Sequence, residues 1–130
     1  MRKRVAVEST AEAYLELLAA RGIDYFFGNA GTDFAPIIEA YAKREAQGQV
    51  LPRPLTIPHE IPAVGMAHGY AMVTGRPQVV MVHVNVGTAN GVGGIINAAR
   101  ANAPILFSAG RTPLTEGPLP GARNRQIHWA

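Results

Sequence analysis

No cysteine occurs in the 130 residues, which excludes disulfides, cysteine-based zinc sites and a cysteine nucleophile. That zero fits a reducing compartment, and a cytoplasmic location is expected. No apolar run reaches the ~18 residues of a membrane span, and residues 1–20 lack a continuous apolar stretch behind their basic start. A soluble chain with no membrane contact is therefore expected. Charge is sparse as well. Charged residues make up 16%, and 12 Lys and Arg against 9 Asp and Glu leave a net +3. Part of that excess is the cluster Arg2, Lys3 and Arg4, which reads as a solvated terminus, so no nucleic-acid partner is expected. The histidines show no metal-ligand spacing with one another or with acids, and no metal ligands are expected in this chain. A P-loop lysine is missing from both glycine-rich stretches, and no Gly-x-Gly-x-x-Gly fingerprint stands between a strand and a helix.

What is present is a well-buried globule of one domain's size, 48% hydrophobic. Helical and strand periodicities alternate along it. Ser9 and Thr10 precede a helical stretch with Tyr14, Leu17 and Leu18 on one face, closed by Gly22. Ile23 to Phe27 follows as a short strand, then the loop 28–32. A second helix starts near Thr32 or Asp33 with Phe34, Ile37, Ile38 and Tyr41 on one face. Leu55 to Ile57 is a second strand. A third helix begins near His59 and Glu60, buries Ala63, Met66, Ala67 and Tyr70, leaves His68 exposed, and stops at Gly75 before Pro77. Val79 to Val84 is apolar almost throughout, as a strand buried on both faces of a parallel sheet would be. The loop 85–90 leads to a helix of small residues from about Gly91 to Asn102, and Ile105 to Phe107 is the fourth strand.

This alternation predicts an α/β fold: a parallel sheet with helices on both faces. Residues 1–112 are expected to form the domain. Residues 113–130, rich in Pro, Gly and Arg and without a period, are expected to lead out of it, as the end of a truncated or naturally longer polypeptide. In such a sheet ligands gather at the loops following the carboxyl ends of the strands. Those loops are 28–32, 58–60, 85–90 and Gly110.

Glu60 is the sharpest candidate for chemistry. Its neighbours Ile57, Pro58, Ile61, Pro62, Ala63 and Val64 are apolar, and burial disfavours the charged form of a carboxyl group. So placed, it can donate a hydrogen bond or shuttle a proton. It can equally be a surface glutamate that complements the helix dipole. His83, near the carboxyl end of its strand, is either a satisfied core residue or a proton donor and acceptor. Thr32 either caps the second helix or faces a ligand. Gly91, Gly93 and Gly94 permit close approach of a ligand or of another helix, across a subunit interface in one reading.

Several blocks resemble a known family. His59-Glu60, followed by Ala63, Met66-Ala67, Gly69-Tyr70-Ala71 and Thr74-Gly75-Arg76-Pro77, is similar to the pattern after the catalytic glutamate of thiamine-diphosphate-dependent decarboxylases and acetolactate synthases. Phe27-Gly28-Asn29-Ala30-Gly31-Thr32 resembles that family's first active-site loop, with Ala30 where the family has proline. His83 to Asn90 resembles the next loop, and Ala103-Pro104-Ile105-Leu106 through Gly110 the strand after it. The resemblance runs from about residue 8 to 112 and, through Asn29, Thr32 and His83, is greatest to benzoylformate decarboxylase.

The resemblance implies a pyrimidine-binding (PYR) domain that takes thiamine diphosphate and acts on a 2-keto acid. Glu60 would contact the aminopyrimidine nitrogen, His83 would shuttle a proton, and Thr32 would orient the substrate carboxylate. Gly28, Asn29, Gly31, Gly87, Thr88 and Asn90 would line the cofactor. The family's Gly-Asp-Gly and Asn-Asn motif for diphosphate and Mg²⁺ is absent here. Its ligands are expected outside this chain, on a diphosphate-binding domain of the same or another polypeptide, within a homodimer or tetramer. Two alternatives stand beside this: a degenerate domain that only assembles or regulates, and one subunit of a split sulfopyruvate- or phosphonopyruvate-type decarboxylase.

Overall fold

The structure is a computed structural model that describes residues 4–111. The tail expected over 113–130 lies outside the described residues. Four strands, β1 (Tyr25–Gly28), β2 (Arg53–Thr56), β3 (Gln78–Val82) and β4 (Ile105–Ala109), form one sheet in the order β2-β1-β3-β4. Every pairing is parallel, with Phe26 opposite Val79 and Val80 opposite Phe107. Among the described residues four α-helices accompany the sheet: α1 (Thr10–Ala20), α2 (Ala35–Ala46), α3 (Glu60–Thr74) and α4 (Val84–Arg100).

Alternation along the strands sends successive side chains to opposite faces and so divides the core in two. Phe26, Val79 and Met81 pack with Leu15 and Leu18 of α1 and Ile37 and Ala40 of α2. Phe27, Val80 and Val82 pack with Ala63, Val64 and Ala67 of α3, and Ile95 of α4 and Phe107 of β4 join them. Helices thus cover both faces, as the alternation predicted. β3 is buried along its whole length, and each such Val contributes about 1.5–3 kcal/mol. It anchors both cores.

Local chemistry places the helix ends. The Ser9 hydroxyl accepts from Glu12 N at 3.2 Å and starts α1. Gly75, at φ 69°, stops α3 in a left-handed conformation that glycine adopts without steric cost. Between α1 and α2, Arg44 donates to Glu16, both nearly buried, and Lys43 pairs with Glu8 and Glu12 at 2.7 and 2.9 Å.

The buried stripes differ from expectation at their margins. Leu17, Ile38 and Met66, expected inside, are 53%, 60% and 45% exposed. The helices lie on the sheet through Leu15, Ile37 and the alanines of α3, which rolls these neighbours outward. His68, expected outside, is half-buried with its Nε2 enclosed and unpartnered among the described residues. The largest difference concerns residues 85–90. They are not a loop but the first turns of α4, which starts at Val84. Glycine, asparagine and valine have modest helix propensity, and tertiary packing overrides it here.

Candidate functional site

All four strands point the same way, so their carboxyl ends share one edge of the sheet. Glu60 and His83 stand there, each immediately before or at the start of a helix. Glu60 is the first residue of α3 and is 6% exposed. His59 caps the helix, its Nδ1 accepting from Ile61 N at 3.2 Å, and lies 3.6 Å from Glu60 Oε2. Asn90, nearly two turns into α4, donates from Nδ2 to the same Oε2 at 3.1 Å. Gly87 lies over the carboxyl group: a Cβ there would sit 3.2 Å from Glu60 Oε1 and 2.8 Å from Val82 Cβ. Glycine at 87 therefore lets α4 approach β3 and the Glu60 carboxyl group closely.

His83 follows the last residue of β3 and caps α4. The chain bends sharply after it, because Val84 takes φ 36°, a left-handed conformation costly for a β-branched side chain. The imidazole Nδ1 lies 2.6 Å from Asp33 Oδ1, and the two side chains are 30% and 12% exposed. Loop 28–31 covers this pair, and a Cβ on Gly31 would fall 2.2 Å from Nδ1. From the other side Gly110, just past β4, closes on Asp33, where a Cβ would meet Oδ2. That Oδ2 is buried without a hydrogen-bond partner among the described residues.

The remaining sequence candidates divide. Gly28 ends β1 and packs against Phe34. Asn29 spends its side-chain amide on Ile57 O at 2.9 Å, so it ties the end of β2 to the loop. Thr88 Oγ1 donates to Val84 O at 2.7 Å, within its own helix. Thr32, exposed, opens a short 3-10 turn, Thr32–Phe34, before α2. The structure thus makes two clusters: Glu60 with Gly87 and Asn90, and His83 with Gly31, Asp33 and Gly110. Asp33 is the residue that sequence reasoning missed as chemistry, because it reads as an ordinary acidic residue in a helix's first turn. Among the described residues no group of His, Asp and Glu is arranged to hold a metal, and no helix is long and apolar enough to cross a membrane.

The edge fits an aminopyrimidine ring in one respect that the coordinates display. A nearly buried carboxyl group is oriented through one oxygen by Asn90 and has the backbone of Gly87, with no side chain, beside the other. A ring nitrogen exchanges a hydrogen bond with such a group.

The sequence profile of the family described as thiamine pyrophosphate enzyme, N-terminal TPP binding domain, matches residues 8–126. Benzoylformate decarboxylase of Pseudomonas aeruginosa is 32% identical over 107 residues, 81% of this chain and 19% of that protein. The acetolactate synthase large subunit of Haemophilus influenzae is 32% identical over 103 residues, 79% of this chain and 17% of its own length. Among solved structures, a thiamine diphosphate-dependent 4-hydroxybenzoylformate decarboxylase of Rhodococcus jostii superposes with a TM-score of 0.71 at 29% identity, covering 82% of this chain and 19% of that one. The chain spans about a fifth of the length of such relatives. With the doubly covered parallel sheet and a buried glutamate at its carboxyl edge, these matches place the chain in the N-terminal thiamine-pyrophosphate-binding domain family of thiamine-pyrophosphate enzymes.

Proposed function

We propose that this chain is the pyrimidine-side half of the active site of a thiamine-diphosphate-dependent enzyme acting on 2-keto acids. The observation that carries the reading is Glu60: nearly buried, at the carboxyl edge of the sheet, held by Asn90, with the bare backbone of Gly87 beside its other oxygen. Thiamine diphosphate, when bound, supplies an electron sink for cleaving or forming a bond at the keto carbon. Glu60 holds the aminopyrimidine by a hydrogen bond between its carboxyl group and a ring nitrogen. Asn90 fixes that carboxyl group's orientation, and Gly28, Gly31 and Gly87 keep backbone close to the cofactor. Thr32 offers its hydroxyl to the substrate carboxylate, and His83 moves a proton to or from the substrate carbon.

The rest of the site comes from a diphosphate-binding domain, on this polypeptide or another, which also supplies the Mg²⁺ ligands. The outer side of α3 and α4 supports a packed assembly, a homodimer or tetramer. It exposes Ile61, Met66, Met72, Val73, Val86, Val92 and Ile96, a run of apolar residues that water disfavours. The enzyme acts in the cytoplasm.

Calorimetric titration of thiamine diphosphate with Mg²⁺ into the longest natural form, beside the 130-residue chain, tests this reading. Tight binding by the long form, weakened at least about tenfold by Glu60→Gln, is expected, since a hydrogen bond to a charged group is worth about 1.5–3 kcal/mol. A 2-keto acid screen of the long form follows. No binding by either form, or full activity in the Glu60→Gln protein, overturns the reading in favour of an assembly or regulatory domain.

A further inference from the structure

His83 and Asp33 come from different strand ends, 50 residues apart, yet their side chains meet at 2.6 Å. Three backbone features hold them there. Gly31 lies against the imidazole and Gly110 against the carboxylate, both so close that a Cβ would collide. Val84, at φ 36°, bends the chain directly after the histidine. Strain of this kind costs about 1–3 kcal/mol and persists where surrounding packing enforces it. A surface ion pair needs none of these devices.

We propose that Asp33 is the positioning residue for His83: its carboxylate accepts the Nδ1–H and fixes the ring's tautomer and plane, so that Nε2 is the nitrogen that exchanges the proton. The proposal rests on the proton-transfer role assigned to His83 under the proposed function. The proton balance follows from the ring. With both nitrogens protonated, the imidazolium gives the Nε2 proton to the substrate carbon and becomes the neutral Nδ1–H tautomer, which Asp33 already holds. A solvent proton then restores Nε2–H. The carboxylate aligns the ring throughout, without itself becoming protonated. Its second oxygen, Oδ2, has no hydrogen-bond donor among the described residues, so that charge is directed at His83.

The test uses the longest natural form, labelled with ¹⁵N-histidine. His83 is assigned by the signals lost in His83→Gln, and spectra are taken across a pH series that reaches the neutral ring. The wild-type neutral ring is expected to carry its proton on Nδ1. Asp33→Asn keeps the side chain's shape and is expected to lose that preference while its circular dichroism stays unchanged. Turnover of a 2-keto acid is expected to fall roughly 10–100-fold in kcat with KM nearly constant, part of the 10²–10⁴-fold that a positioned acid–base group contributes.

A wild-type His83 protonated on Nε2 when neutral overturns the proposal, even if Asp33→Asn fails to fold. So does an Asp33→Asn protein with the wild-type tautomer and kcat. If the tautomer responds as expected but no 2-keto acid is turned over, the positioning role of Asp33 stands and the proposed reaction falls.

Discussion

The two ends of the parallel sheet hold similar polar groups and use them differently. At the amino end, Gln78 is completely buried, and its side chain accepts from Tyr25 N at 2.9 Å and donates to Pro77 O at 2.6 Å and Asp24 Oδ2 at 3.3 Å. Asp24 also receives Tyr70 OH at 3.1 Å and Arg76 Nη1 at 2.9 Å. This network joins β1, β3 and α3 and saturates its members. At the carboxyl end, Asn90 donates to Glu60 and His83 meets Asp33, while Asp33 Oδ2 and Asn85 Oδ1 are buried without partners among the described residues. A buried polar group left short of partners destabilises the fold, so such groups persist where something other than stability retains them. One end is saturated; the other keeps unpartnered acceptors at the edge where the proposed function places a ligand.

The largest effect on stability is expected at the saturated end. Gln78→Ala removes three hydrogen bonds, strands Tyr25 N and opens a cavity, and should cost about 2–4 kcal/mol in urea unfolding. An unchanged unfolding midpoint would erase the distinction between the two ends. Gly31→Ala should cost less, about 1–3 kcal/mol, the usual range for overpacking. Its Cβ would nevertheless displace His83 from Asp33. The loss of the Nδ1–H signal in ¹⁵N spectra should therefore exceed what the modest stability change suggests.

The smallest effect is a pH dependence at the amino end. Partial burial raises the Tyr70 hydroxyl above its ordinary value of 10, and its bond to Asp24 adds to that. The folded state thus favours the protonated hydroxyl. This contribution is fully present below the unfolded value of about 10 and is lost as pH rises from there through the raised folded value. Thermal unfolding followed through the alkaline range should show a shallower decline for Tyr70→Phe than for the wild type. Parallel declines would mean that the hydroxyl is not held as the structure draws it.

Much of this was legible beforehand. The Gly75 stop, the helix start at Glu60, the apolar run of β3 and the buried Ala63 and Ala67 of α3 each depend on neighbours in sequence. Those are local properties of backbone and side chain. Glu60 was legible for the same reason, since its apolar neighbours are sequential and its family's motif follows it directly. Less visible were the margins of the helices, where Leu17 and Ile38 turn outward, and the start of α4, where a glycine-rich stretch became helix. Asp33 left no sequence signal at all.

By itself, then, the sequence determined the alternation of helix and strand, the parallel sheet and the family, because periodicity, caps and motif spacing are carried by residues close together in the chain. Only the tertiary structure decided which groups at that edge touch. Asp33 and His83 stand 50 residues apart, and Glu60 and Asn90 stand 30 apart. Their meeting depends on strand order, on glycines that admit close backbone, and on a strained bend at Val84. None of these has a local signature, since each is a distance between elements that only packing sets.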